Sequence, residues 1–425
     1  MESVISKIKL VWHDTVLRKR IIVTIALLAV FRMLASIPIP GVDQAMLFKF
    51  FNGSQFFGLL NVFSGGGLSN LSIVMLGVGP YITGSIIMQL LTMMSPSLKA
   101  MYQEEGEAGR KKFSQYGRLI SIPLAVLQAT GFIFLLQKQG VVASLNTYSL
   151  AINVITVTTG SVLLMWLGEL ITEFGIGNGV SLVIFSGIVS ALPREISQLL
   201  FSYDSSMLLS YVAFATLAVA IIASVVYITE AERPIPVTYA KRVRGNKVYG
   251  GISTYLPLRL NQAGVIPIIF ALSILLFPQL ILNVVTGITA NQSVKDAAAY
   301  ILALLANNWI YALMYFFLVF IFTYFYTAVT FDPHQIAENL QQNGAFIPGV
   351  RPGASTSEYV GKVLTRITLV GAVFLGFVAV LPLIIKAIFP SINSVAIGGT
   401  ALLIAVSVIL DLAKKIDAQV SMREY

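Results

Sequence analysis

The chain has 425 residues, of which 56% are hydrophobic and 11% charged, with a formal net charge of +9 and a mean hydropathy of +0.83. That balance excludes an ordinary soluble globule and a disordered chain alike. Cysteine is absent, which removes disulfides and thiolate metal sites.

Residues 1–20 are polar and basic, and the apolar run that begins at Ile21 has no small-residue cleavage site after it, so no removable leader is expected. Ten apolar segments follow, at 21–38, 74–95, 119–136, 153–173, 180–200, 208–228, 263–285, 301–327, 367–389 and 394–411. About 20 helical residues cross ~30 Å of hydrocarbon, so a polytopic all-α membrane protein is predicted. With the N-terminus inside, 22 of the 28 Lys and Arg fall in the inner segments. Five (Lys49, Lys138, Arg194, Lys295 and Lys386) fall outside, and Arg32, near the outer end of the first span, is placed to snorkel. The asymmetry puts both termini in the cytoplasm. It also accounts for the pI near 9.5 without nucleic acid.

Three breaks punctuate the pattern. Residues 63–72 hold Gly65, Gly66 and Gly67 and lead straight into an apolar stretch broken by Gly77, Gly79 and Pro80. The segment reads either as a short half-helix shielded from lipid or as a loop turning on its glycines. A Gly-Ile-Gly-Asn-Gly run at 175–179 forms a sharp inner turn between spans four and five, with Asn178 bonding to nearby backbone. Asn261, Gln262 and Pro267 gather at the start of span seven, where the proline is expected to bend it.

Chemistry-bearing motifs are missing. The longest inner loops, 229–262 and 328–366, are too short to bury a domain core singly. His13 and His334 sit in different inner segments as solvent-facing residues, and Gly65–Gly67 precede Leu68 rather than a phosphate-binding lysine. An ATP-driven motor is excluded within the chain, an intramembrane hydrolase lacks its nucleophile and base, and no enzyme, metal or cofactor is expected. An ion-coupled solute carrier stays open because helix breaks are present, although no midplane carboxylate neutralises a moving cation.

Several long motifs, in order, carry a resemblance. They are Pro80–Leu91 (PYITGSIIMQLL), Glu105–Lys112 (EGEAGRKK), Gly175–Gly179, Tyr239–Val243 (YAKRV), Leu256–Pro267 (LPLRLNQAGVIP) and Arg351–Gly353 (RPG). The chain resembles the bacterial SecY family, central subunits of protein-conducting channels, over nearly its whole length. The chain departs from the family form at Pro234, a position often held by Arg, and at Gly117, where Thr is common.

The resemblance implies ten spans in two pseudosymmetric five-helix halves around a central pore, 21–200 and 201–411, with a 412–425 cytoplasmic tail. It implies a short plug half-helix near 63–72 (Gly65, Gly66, Gly67, Leu68, Ser69, Asn70) and a pore ring of Val78, Ile82, Val180, Ile184, Ile269 and Ile404. Each within-helix pair of that ring is four apart and so shares a face. Spans two and three would meet spans seven and eight at a lateral gate, with Thr83, Gln128 and Asn261 exchanging hydrogen bonds there or serving as static interhelical glue. Lys241, Arg242, Arg244, Lys247 and Arg351 would dock partners, although positive-inside topology also asks for such charges. Implied partners are SecE-like and SecG-like membrane subunits, the SecA motor ATPase, the translating ribosome, signal sequences with nascent polypeptides, and membrane lipids. The implied location is the bacterial plasma (inner) membrane, multi-pass, and the implied function is polypeptide translocation with lateral insertion of membrane proteins.

Overall fold

Asp14 opens the first helix by accepting from the amides of Val16 (2.8 Å) and Leu17 (3.3 Å), two donors that the first turn leaves unpaired. The computed structural model describes residues 13–40, 61, 64–68, 70–138, 140–142, 146–201, 208–239, 242–244, 247–249, 253–289, 291–388 and 399–421. The first half holds α1 (Thr15–Leu34), α2 (Gly79–Met94), α3 (Pro96–Gln103), α4 (Gly106–Lys138), α5 (Thr147–Phe174) and α6 (Gly179–Phe201). The second holds α7 (Leu208–Glu230), β1 (Glu232–Tyr239), β2 (Arg242–Arg244), β3 (Lys247–Tyr249), β4 (Ser253–Arg259) and α8 (Ile266–Ile288). It continues with α9 (Gln292–Ala306), α10 (Asn308–Thr330), α11 (Pro333–Gln342), β5 (Ala345–Phe346), α12 (Ala354–Ile388) and α13 (Gly399–Ser421).

A helix runs through the described part of each of the ten expected spans, residues 389 and 394–398 lying outside the description, and four departures stand out. Residues 74–78 are turns, and α2 starts only at Gly79, with Pro80 at a position where its missing N–H costs nothing. The eighth span is cut at Asn307, which ends α9 and caps α10 by accepting from the Trp309 amide at 3.0 Å. Pro267 begins α8 rather than bending it; the proline inside that helix is Pro278. Helices α4 and α12 start 13 residues before their apolar segments, because their polar first turns have something to pack on. In α4 this is Tyr102 of α3, whose ring centroid lies 4.9 Å from that of Phe113.

For α12 the support is a small module made jointly by the two loops. Strand order is β4-β1-β5, with β1 antiparallel to both neighbours, and β2 and β3, between β1 and β4 in the chain, pair antiparallel with each other. Ile235, Val237, Leu258, Ala345 and Ile347 close a buried cluster with Val360 and Ile367 of α12. Neither loop buries a core alone, but strand pairing between them creates one.

Leu17 near the start of α1, Ile176 in the α5–α6 turn and Val420 near the end of α13 share another buried cluster, so both described chain ends lie on one face. The Glu230–Lys414 ion pair (2.8 Å) joins the end of α7 to α13 there as well. Strand β1 follows α7 directly, so this is the sheet face of the molecule. The halves meet chiefly along two seams, α8 against α2 and α4, and α6 against α13, with α10 standing behind α8. One large apolar cluster crosses both seams and forms the centre of the molecule.

Candidate pore and gate

The six residues of the expected ring all lie in or against the central apolar cluster. Val78 caps α2 and Ile82 follows one turn later; Val180 and Ile184 lie near the start of α6, Ile269 at the start of α8 and Ile404 near the start of α13. Val78, Ile82, Ile184, Ile269 and Ile404 are buried in the central cluster, and Val180 packs against it. Four separate helices thus contribute branched aliphatic groups to one cluster, and Ile82, Val180, Ile184 and Ile269 line one cavity together, with no polar side chain among the six to hold water.

On the sheet-face side of these residues lie two neighbouring cavities of about 600 and 620 Å³, which share Asn178, Ser181 and Ile266 in their walls. The first is floored by Ile82, Val180, Ile184 and Ile269 and walled by Arg118 and Glu169, an ion pair between α4 and α5. The second is lined by Glu232, Arg259, Asn261, Asp411, Lys414 and Lys415. Together they form a vestibule whose largely apolar lining is set with charged groups, with the aliphatic residues of the expected ring in its wall. The α5–α6 turn that shapes its rim uses Gly177 at φ +89°, and Asn178 Oδ1 accepts from the Ser181 amide at 3.2 Å.

Beyond the ring residues lies the segment expected to be a plug. Its described residues, 64–68 and 70–72, are almost all turns rather than a half-helix, and Asn61 just before them is helical. Gly65 and Gly66 take φ of +65° and +82°, which breaks any helix at that point. Gly65 abuts Gly187 of α6: a Cβ on Gly187 would stand 2.1 Å from the Gly65 Cα. Gly187 is three residues past Ile184, so by the helical rise Gly65 lies about 5 Å further along α6 than Ile184. Along α6 the order is vestibule, expected ring, expected plug segment.

Several polar contacts hold this segment. Arg32 Nη1 donates to the Gly65 carbonyl at 2.8 Å, so Arg32 turns inward instead of snorkelling. Ser72 Oγ donates to the Gly67 carbonyl at 2.9 Å, and Ser161 Oγ of α5 to that of Gly77 at 2.9 Å. Leu68, Leu71 and Met75 are fully buried among Phe132, Ile133 and Leu136 of α4 and Val157 of α5. Asn70 reaches the Ala35 carbonyl at 3.4 Å. Ser69 lies outside the described residues.

The three polar gate candidates do not bond to one another among the described residues. Thr83 is buried and its hydroxyl donates to the Gly79 carbonyl of its own helix at 3.0 Å. Gln128 is also buried, its Oε1 4.0 Å from where a Gly79 Cβ would be, so it faces the first turn of α2. Asn261 donates to the Gly264 carbonyl at 3.3 Å, and its Cα packs against Gly371 of α12 rather than α2. The seam between α8 and α2/α4 is therefore closed mainly by apolar packing.

Of the docking candidates, Arg351 is exposed on the sheet face, its carbonyl accepting from Thr356 Oγ1 at 2.9 Å in the turn that opens α12. Arg242, Arg244 and Lys247 lie on the hairpin, paired in register as Arg242–Tyr249 and Arg244–Lys247. Lys241 lies outside the described residues. The sequence pattern did not point to Gly187 and Arg32 as the residues that meet Gly65 of the expected plug segment. The signal for Arg32 was there: a lone ionisable residue in a span usually has a partner within the protein.

The model of the SecY family matches residues 72–413. The protein translocase subunit SecY of Corynebacterium glutamicum is 42% identical over 432 residues, covering 97% of each chain. That of Thermotoga maritima is 41% identical over 421 residues, covering 96% of this chain and 94% of its own. Among solved structures, one described as a protein conducting channel superposes with a TM-score of 0.64 at 18% identity, covering 95% of this chain and 92% of that one. Another concerns the plug domain of the SecY protein and its membrane seal, with a TM-score of 0.65 at 19% identity and the same coverage. At such identity the superpositions establish the fold, and the full-length sequence matches establish more: the chain belongs to the SecY family.

Proposed function

We propose that this multi-pass plasma-membrane protein is the central subunit of a protein-conducting channel. It passes secretory polypeptides across the bacterial plasma membrane and releases apolar helices sideways into it. The observation that supports the reading is a set of buried aliphatic side chains from four helices between a charge-bearing vestibule and the 64–72 segment, which packs on α6 at Gly187 and is read as the plug. A ring of branched side chains fits around any extended chain without selecting a sequence, and when empty it excludes water and ions by dewetting. Binding pockets for a solute and an ion are built differently, from fixed polar groups near a broken helix.

In this reading the sheet face and both termini are cytoplasmic, as the basic residues ask. The Arg351 turn and the β2–β3 hairpin present cations to a SecA-like motor or a ribosome, where charge steers encounter and contacts phosphate or carboxylate. The sheet then continues through Leu260–Val265 directly into α8, one side of the lateral gate. Opening separates α8 from α2 and α4 while the α6–α13 seam serves as hinge, and SecE-like and SecG-like subunits brace the halves. The chain supplies a path and a gate; the energy comes from partners.

The deciding experiment reconstitutes the complex in vesicles with motor, ATP and a secretory precursor. Protease-protected full-length precursor supports the channel. Gradient-coupled uptake of a small solute, with no precursor protected under the same conditions, would establish a carrier instead.

A further inference from the structure

Helix α9 joins the far ends of two spanning helices. Because α8 starts and α10 ends beside the vestibule on the sheet face, α9 lies at the opposite face, packed on both helices. Its 15 residues measure about 22 Å, too short to cross the ~30 Å hydrocarbon layer. At 100° per residue its surface divides into three strips. Ala298 and Leu305 are buried and Lys295 and Leu302 half-buried, so that strip rests on the protein. Gln292 and Asp296 are exposed and hydrogen-bonded to each other at 3.1 Å, a water-facing strip. The third strip, Val294, Ala297, Ile301 and Leu304, is apolar yet exposed.

What covers that third strip follows from its neighbours. Across the Asn307 joint, α10 exposes Trp309, Leu313, Phe317 and Ile321 at four-residue spacing, at 76%, 61%, 53% and 57%. That row lies on a membrane-spanning helix and faces acyl chains. Trp309 marks its end at the level where indole rings favour the headgroup boundary, and Tyr300 of α9 is 71% exposed close by in the chain. The apolar strip of α9 ends at Leu304, five residues before Trp309 begins this lipid-facing row, and the Gln292–Asp296 strip lies on the opposite side of α9.

We infer that α9 is an interfacial membrane helix, its Val294–Ala297–Ile301–Leu304 strip embedded among the outer headgroups and upper acyl chains. It would then anchor the far ends of α8 and α10 to the bilayer surface as one unit. The inference rests on the chain spanning a membrane and not on what the chain transports.

The natural absence of cysteine makes a direct test available. Single cysteines at 292, 296, 301 and 304, with 313 as a reference in the spanning part of α10, carry a nitroxide label. The assembled complex is placed in phosphatidylethanolamine–phosphatidylglycerol vesicles, and collision with oxygen, which concentrates in lipid, is compared with collision with a water-soluble nickel chelate. Labels at 301 and 304 should be oxygen-accessible and nickel-excluded, like 313, while those at 292 and 296 collide with nickel. Nickel access at 301 and 304 equal to that at 292 and 296 would mean that water covers the strip and would overturn the inference. Shielding of 301 and 304 from both reagents would overturn it too, by showing that a protein subunit or second copy sits there. If labelling at 301 disturbs assembly, the 297 position on the same strip reads the same outcome.

Discussion

The seat of the plug gives the sharpest prediction. Gly187→Ala adds a single methyl group whose position is set by the rigid α6 backbone. It would lie 2.1 Å from the Cα, 2.3 Å from the carbonyl carbon and 2.6 Å from the oxygen of Gly65. These are backbone atoms in a residue held at positive φ, so no rotamer change relieves the contact. Overpacking of this kind costs about 1–3 kcal/mol, which at 1.4 kcal/mol per decade moves the seated–unseated equilibrium roughly 5- to 150-fold toward the unseated state. The Arg32–Gly65 hydrogen bond (2.8 Å) is made only in the seated state and opposes unseating equally in both proteins, so it does not alter this shift. The helix itself does not suffer, because alanine is the better helix former by about 1 kcal/mol. Resting ion conductance in planar membranes, at matched protein abundance, should therefore rise in the variant. In a channel already lacking residues 64–72, Gly187→Ala should add nothing. Unchanged conductance in the intact background, or an equal increase in the deleted one, would refute the seating argument.

Replacing Val78, Ile82, Val180, Ile184, Ile269 and Ile404 together by Ser should make the resting pore leak ions, since six hydroxyls favour a wetted constriction; unchanged conductance with normal assembly removes the pore-ring assignment. Arg351→Glu should weaken motor- or ribosome-dependent transport while the chain still inserts, and normal partner binding across low and moderate salt would show that Arg351 is not a docking contact. A cysteine pair across the α2–α8 seam should block insertion of an apolar signal helix when oxidised and restore it on reduction. Insertion at the normal rate with the crosslink fully formed would place the exit elsewhere.

Much of this molecule was readable before any coordinates. Hydropathy alone yields spans because lipid leaves the backbone no partner but its own helix, so a long apolar run has one stable conformation. The four-residue spacing of Val78 with Ile82 and of Val180 with Ile184 is likewise a property of the chain, and put each pair on one face. The assignment of Ile269 and Ile404 to the same level came from family likeness, and the tertiary structure brings all six residues into one cluster. Local sequence has no means of stating that two glycines 122 positions apart, Gly65 and Gly187, touch, nor that Arg32 reaches the plug rather than the headgroups. The same holds for the loops: 229–262 and 328–366 each look too short to fold, and become a module only when β1 pairs with both β4 and β5. Composition and periodicity determine which segments cross and which face of each is apolar, because those depend on a residue and its near neighbours. Which buried polar group meets which partner depends on contacts closed between distant segments, and only the assembled helices decide it.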